Sequence, residues 1–403
     1  MKILFLSELF YPHGGGAELA TYLYAKRLSD ENHEIVVITN KFQKEPEFSH
    51  MDNFIIYRVP IFDNGLSLKY STSLKVNYII SNLFKKFIKW ADVVYIPRYW
   101  FSSIPILKYY KKPVIAHLHD YIPVCPLAIL YNSENDRICE DKSICSTKCL
   151  YRFERNRRNV LLSLGSTTLN ITIWPILKSF LKQSDAIICV SEVQKKLLIQ
   201  NGLNQDVKMN VIYNPMPKIS PIEILEDNFG YFGGLNYFKG YQVILRSLRS
   251  LMDEKVRDIH VYGTKFNTLS SLKSRKYNKL GLFTYSKLTN IEFNNLYKKI
   301  RTVLIPSIWH EPLPYVVSES LLKGRLVIAS RVGGIPEILK ECKGAYLFEP
   351  DDHSELAILM KYVKNIDEES AIDLGIKNRE TFLRKNSKQD PIRQFEKICY
   401  KFI

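Results

Sequence analysis

Two glutamates eight positions apart, Glu311 and Glu319, stand in the segment SIWHEPLPYVVSESLLKGRLVIASRVGGIPE that runs from Ser307 to Glu337. Glu311 follows an apolar run with the length of a strand. Pro312 and Pro314 then hold off regular helix until Tyr315, so Glu319 falls early in the helix that Pro314 starts. A carboxylate accepts two hydrogen bonds from adjacent hydroxyls and therefore suits the diol of a ribose or hexose. The helix start behind Pro314 adds unpaired backbone N–H groups for a hydroxylated or anionic ligand. Two glutamates at this spacing are in isolation most often a solvated pair, so the neighbouring residues carry the weight. In FGGLNYFKGYQVILRSL, Lys239 and Gly240 come directly before an apolar-periodic helix. A flexible ammonium at a helix N-terminus is a diphosphate site; the bland alternative is an ordinary surface lysine.

Further candidates lie in the first half. His13-Gly14-Gly15-Gly16-Ala17-Glu18 joins an apolar run to a helical one, and glycine there lets backbone come close to a ligand. The loop is not GxGxxG, and the next strand ends in Thr39-Asn40 where a ribose-binding acid would stand, which disfavours a dinucleotide. His119-Asp120 follows the run PVIAHL and Ser191 follows AIICV; a structural histidine and a helix N-cap are the plain readings of the two. Cys125, Cys139, Cys145 and Cys149 could hold zinc, but no C-x2-C spacing occurs among them, and reduced structural thiols are the default. Asp-x-Asp occurs nowhere in the chain, so no carboxylate pair of that kind is offered to a catalytic divalent metal.

Positioning these residues requires strands that end beside them. Lys2–Ser7, Glu34–Thr39, Val93–Pro97, Pro113–Leu118 and Ala186–Val190 are continuous apolar runs of the kind buried in parallel sheets, with helical spacing over Glu18–Leu28. A second series, Phe229–Gly234, Asp258–Gly263, Arg301–Ser307, Arg325–Ser330 and Gly344–Pro350, begins after the proline-rich stretch Asn214–Pro221. The pattern predicts two α/β domains, each with a parallel sheet, facing an interdomain cleft that the strands' carboxyl ends would line. The expected boundaries are 1–213, a hinge at 214–222, 223–388, and a last amphipathic helix within 389–403 that returns to the first domain.

At 403 residues and 46% hydrophobic composition the chain suits two cores. Its formal charge of +16 is not gathered in one arm: 27 basic and 19 acidic residues fall through Pro215, and 30 and 22 beyond it. That even spread counts against a nucleic-acid-binding tail and suits a phosphate-bearing ligand or an anionic membrane face. The opening MKILFLSELFYPHGGG reads as a first strand, not a signal peptide. Val160–Leu181 is apolar but broken by Ser163, Thr167, Thr168, Asn170, Thr172 and Pro175, and no spanning helix is expected there. Seven cysteines without a secretory signal fit a reducing compartment. Two basic, aromatic stretches, Asn77–Trp90 and Tyr151–Arg158, suit either an anionic interface or a solvated face packed on the core.

Together the glutamate pair, the glycine loop, His119, Asn214-Pro215, Lys239-Gly240 and Gly333-Gly334-Ile335-Pro336-Glu337 resemble family 4 glycosyltransferases of the GT-B fold, over nearly the whole chain. The resemblance implies retaining, metal-independent transfer of a hexose from a nucleotide-diphosphate sugar to an acceptor hydroxyl, a lipid-linked or other cell-surface glycan precursor among them. It implies that Glu311 contacts the transferred sugar, Glu319 the donor ribose and Lys239 the diphosphate. His119 would orient the sugar, and Gly15 and Gly16 would approach donor phosphates or acceptor. The donor-binding set expected on this basis also includes Gly233, Gly234, Gly263, Pro312, Leu313, Pro314 and Tyr315, with Ser191 near the cleft. Gly234 stands where the family commonly has an arginine, leaving Arg325 and Arg331 as substitutes. No cofactor is expected. The expected location is cytoplasmic, peripheral on the inner membrane face. A nucleotide-sugar 2-epimerase, which would epimerise donor without acceptor, and a basic nucleic-acid-binding protein, which would bind with a steep salt dependence, are the rival readings.

Overall fold

β-Branched and aliphatic residues that are apolar on both sides of a strand can be satisfied only between two layers of helices, and this decides the architecture. The computed structural model describes the chain except residues 43, 61–81, 140–145, 204–207, 218, 220, 225, 255–258, 265–272, 278–279, 286–289 and 388. It divides into two compact units, Met1–Pro215 with Gln389–Ile403, and Met216–Lys388.

The first unit is built on β1 (Lys2–Leu6), β2 (Glu34–Asn40), β3 (Phe48–Met51), β4 (Phe54–Val59), β5 (Val93–Ile96), β6 (Val114–Leu118), a short β7–β8 hairpin (Tyr131–Asn132 and Arg137–Ile138), β9 (Ala186–Cys189) and β10 (Met209–Val211). Its main sheet runs β10-β9-β6-β5-β1-β2-β4-β3 and is parallel except for the β3–β4 pair. Sequence periodicity missed β3, β4 and β10, which lie toward the sheet's edges and have alternating or half-buried residues. The C-terminal helix Pro391–Cys399, capped by Asp390, belongs to this unit. Phe395 is fully buried, its ring 5.2 Å from that of Tyr95 and 5.7 Å from that of Tyr24. His33 Nε2 meets Glu396 Oε1 at 2.6 Å.

The second unit contains β11 (Asn228–Tyr231), β12 (His260–Thr264), β13 (Lys273–Tyr277), β14 (Leu280–Tyr285), β15 (Ile300–Ile305), β16 (Leu326–Ser330) and β17 (Ala345–Phe348). Their order is β13-β14-β12-β11-β15-β16-β17, parallel except for β13–β14. Periodicity did not find the β13–β14 pair. Since β12, β11, β15 and β16 are adjacent and parallel, the loops leaving their carboxyl ends share one edge of the sheet.

Two surface stretches acquire a definite structure. Of the stretch Asn77–Trp90, residues 77–81 lie outside the described residues and Asn82–Trp90 is a helix. Phe84, Phe87 and Ile88 turn inward, with Phe84 stacked 5.6 Å from Trp100, while Lys85, Lys86 and Lys89 face out: this is a solvated face packed on the core. Val160–Leu181, by contrast, forms one uninterrupted 22-residue helix, long and apolar enough to cross a membrane by length and composition. Its polar residues and Pro175 do not interrupt the helix. Ser163, Thr167 and Asn170 lie on its buried side and bond back to carbonyls four residues earlier.

Candidate active site

Three glycines bring the second unit's loops together. Gly240 has φ +78°, and a Cβ there would collide with the Pro306 carbonyl oxygen; Gly333 has φ +51°, and a Cβ would collide with the Glu311 carbonyl. At Gly233 a side chain would press on the Tyr231 hydroxyl and Lys239 Cβ. Backbone bonds fasten the same crossings, from Ile308 N–H to Phe238 O at 2.9 Å and from Gly334 N–H to Glu311 O at 2.8 Å.

These contacts place Lys239, after β11, against Glu311, after β15. Lys239 Nζ lies 2.6 and 2.9 Å from the two carboxylate oxygens of Glu311. Ser307 Oγ and Trp309 Nε1 also donate to Glu311 Oε1, at 2.6 and 2.9 Å, and Lys239 Nζ sits 5.4 Å from the Trp309 ring centroid. Glu311 is only 3% exposed, yet its charge is answered by one ammonium and two neutral donors. Gly263, opposite Tyr231 in the β11–β12 register, lies on the same edge. Ser307 and Trp309 were not expected from sequence; their positions shortly before Glu311 on the same loop are the signal that could have found them.

Glu319 occupies the second turn of the helix Tyr315–Leu322, which starts at Pro314 as expected. Pro312 and Tyr315 are buried, and Leu313 and Pro314 half-buried. Glu319 makes no hydrogen bond or ion pair with Lys239 or Glu311. Burial lifts its pKa to about 7, opposed by Lys323 one turn on. Among the two substitutes for the absent arginine at Gly234, Arg325 is excluded as a ready phosphate contact. It is 2% exposed, and its guanidinium is spent on the carbonyls of Lys323, Glu223 and Tyr297. Arg331 is exposed and paired with Glu349 at 2.9 Å.

In the first unit, the loops after β1, β5, β6 and β9 also share a sheet edge, because those strands are neighbours. Glu18 reaches back to Gly15 N–H at 2.6 Å and closes the glycine turn, the glutamate half of a capping box. Its other oxygen pairs with Arg98 Nη1. Arg98 lies at the centre of a buried acidic group: Nε is 3.1 Å from Glu8, Nη2 is 2.9 Å from the Tyr99 hydroxyl, and that hydroxyl donates to Asp120 at 2.7 Å. Burial raises Glu8 to about 7 against the pull of Arg98. Residue order alone gave Glu8, Arg98 and Tyr99 no role; each closely follows a buried strand, the only signal available.

His119 sits beside this group. Its ring lies 4.4 Å from that of His117, which in turn meets the Tyr95 hydroxyl at 2.7 Å. His119 Nε2 is buried with no hydrogen-bond partner among the described residues. Burial, with Arg98 nearby, holds the imidazole down to about 3, so it is neutral near pH 7. Ser191 is fully buried and accepts from Gln194 N–H at 3.1 Å: the structure gives it the capping role. Cys125 and Cys149 are buried and Cys139 half-buried; Cys145 lies outside the described residues. Among the described residues no three His, Cys, Asp or Glu side chains are grouped to hold a metal ion.

The family model described as Glycosyltransferase Family 4 matches residues 14–217, about half the chain, and one for Glycosyl transferases group 1 matches residues 226–363. The chain belongs to glycosyltransferase family 4. An uncharacterized 42.6 kDa protein in the cps region of Klebsiella pneumoniae is 24% identical to this glycosyltransferase over 87% of its chain and 90% of the relative. One subunit of the phosphatidylinositol N-acetylglucosaminyltransferase of Homo sapiens is 21% identical over 84% and 64%. Among solved structures, Anabaena HepE in complex with UDP and glucose superposes with a TM-score of 0.65 at 16% identity, covering 100% and 99% of the two chains. Sucrose-phosphate synthase from Thermosynechococcus elongatus does so with 0.67 at 13% identity, covering 99% and 96%. The glycosyltransferase therefore has the GT-B fold.

Proposed function

We propose that this glycosyltransferase moves a hexose from a nucleotide-diphosphate sugar to an acceptor hydroxyl, with retention at the anomeric carbon and without a divalent metal. The observation that carries the reading is the Lys239–Glu311 pair at the carboxyl edge of the second sheet. Its HepE neighbour, solved with UDP and glucose, supports a nucleotide-sugar donor. Glu319, in the second turn of its helix and paired with neither Lys239 nor Glu311, would accept the ribose hydroxyls. In the transfer step the bond from the anomeric carbon to the diphosphate oxygen breaks while the acceptor oxygen bonds to that carbon on the same face. The acceptor proton passes to the departing phosphate oxygen. Lys239 answers the charge that grows on that oxygen, a role worth roughly 3 kcal/mol by analogy with one oxyanion donor. Glu311 orients the sugar. His119, neutral and with a buried nitrogen unpartnered among the described residues, offers a hydrogen bond to the sugar and not a general base. Gly15 and Gly16 let backbone come near the phosphates or the acceptor.

A lipid-linked or other surface-glycan precursor, met from the cytoplasmic face of the membrane, is the acceptor class we favour; one relative belongs by name to a phosphatidylinositol N-acetylglucosaminyltransferase. The test is a panel of UDP-, GDP- and ADP-sugars scored by thermal shift, since a ligand of the native state raises its stability. Turnover of the best donor in the presence of EDTA and the anomeric configuration of the product then follow. No shift with any donor, loss of turnover with EDTA, or an inverted product would sink the corresponding part of the reading.

A further inference from the structure

Helix Val160–Leu181 is polar inside and apolar outside. Ser163, Thr167 and Asn170 face the protein, together with Leu177 and Leu181. The outward face carries Leu161 at 81% exposure, Leu162 at 57%, Leu164 and Ile176 at 51%, Val160 at 47% and Ile171 at 42%. At 100° per residue, positions 163, 167, 170, 174, 177 and 181 form one stripe; Leu161 and Ile176 lie roughly opposite it, Leu162 and Leu164 about 100° to either side, and Val160 and Ile171 along its flank. Even the exposed Thr168 and Thr172 turn their hydroxyls onto the helix's own carbonyls, at 3.0 Å to Leu164 O and 2.9 Å to Thr168 O. A water-facing helix has the reverse polarity, so this face is built to be covered.

Charge says by what. From Arg155 to Ser184 the chain has no Asp or Glu, and it carries Arg155, Arg157, Arg158, Lys178 and Lys182 at the two ends of the helix. Arg155 and Arg157 are exposed. Apolar residues flanked by cations match an anionic lipid interface, with chains under the helix and headgroups at its ends. The helix also packs on its own unit through Trp174, whose indole N–H donates to Ile122 O at 2.5 Å, so it is fixed on a folded surface. We propose that Val160–Leu181 lies in the plane of an anionic membrane, its outward leucines and isoleucines immersed among the acyl chains. The inference goes beyond the sugar-transfer reading and does not rest on it.

The test is sedimentation of the full chain with vesicles of phosphatidylglycerol in phosphatidylcholine and of phosphatidylcholine alone. The protein is expected to pellet with the anionic vesicles. Leu161→Asp with Leu164→Asp should lower the bound fraction about tenfold, as should Ile171→Ser with Ile176→Ser at the other end of the stripe. Neither pair should move the melting midpoint or the turnover of a water-soluble acceptor, since no buried contact is lost. Arg155→Gln with Arg157→Gln should weaken binding to the anionic vesicles only. Parent protein that stays in the supernatant, or variants that pellet as the parent does, would overturn the proposal. A concentration-dependent dimer that the aspartates dissolve, with no vesicle binding, would overturn it too and assign the face to a second copy.

Discussion

Lys239 and Glu311, 72 positions apart, form a two-pronged ion pair in which the ammonium contacts both carboxylate oxygens at 2.6 and 2.9 Å. Two residues assigned separate ligand groups are thus each other's partner. On the proposed reading, donor binding would be an exchange: a diphosphate would draw the ammonium, which is 34% exposed, while Ser307 and Trp309 would keep the buried carboxylate in place.

Lys239→Ala should therefore act twice. Turnover of the donor should fall by roughly 100-fold or more, and stability by about 1–3 kcal/mol because Glu311 loses its charged partner but keeps two neutral donors. Steady-state kinetics and a urea titration read the two effects apart; unchanged kcat with lowered stability would make the pair purely structural.

If Glu319 holds the donor ribose as proposed, donor binding should depend on pH. A carboxyl raised to about 7 is protonated below that pH, and the protonated form accepts hydroxyl hydrogen bonds poorly. Donor affinity should rise as pH goes from 6 to 8, with proton release on binding. Calorimetry in buffers of different ionisation enthalpy measures this, and Glu319→Gln should bind weakly with a flat profile.

The glycines separate fold from ligand approach. At Gly240 an added Cβ collides with backbone and φ is positive, so Gly240→Ala should cost more than about 2 kcal/mol or prevent folding. At Gly15 φ is −138° and the nearest atom to an added Cβ is 4.0 Å away, so Gly15→Ala should leave the melting midpoint unchanged. If Gly15 backbone approaches the substrates, the same variant should lose activity at least tenfold; full activity would remove the glycine loop from the reaction.

Glu8 should make the first unit less stable as pH rises. Its folded-state pKa of about 7 stands above its ordinary 4.5, so the folded form holds a proton that the unfolded chain has released. Stability contributed by that proton is complete below pH 4.5 and is lost as pH climbs to 7. Glu8→Gln should therefore stabilise the protein at pH 8 by about 1–3 kcal/mol, with the gain shrinking toward pH 4.5 in paired melts.

The runs of buried aliphatic residues marked the central parallel strands of both sheets, because a strand apolar on both faces must be covered on both, while the edge strands left no such trace. Glycine and proline punctuation likewise marked the turn before Glu18, the helix start at Pro314 and the loop before Lys239. Pairing was not legible. That Lys239 meets Glu311, that Arg98 gathers Glu8, Glu18 and Asp120, and that Arg325 is consumed by carbonyls depend on which strands are neighbours, and register between distant segments leaves no local trace in residue order. Composition left open which side of a helix would pack: Phe84 and Phe87 went inward, one of the two alternatives for that stretch, and Ser163, Thr167 and Asn170 of Val160–Leu181 went to the protein side while Thr168 and Thr172 stayed out. Only packing decides which face of a helix is inside, since the same 3.6-residue period describes either choice.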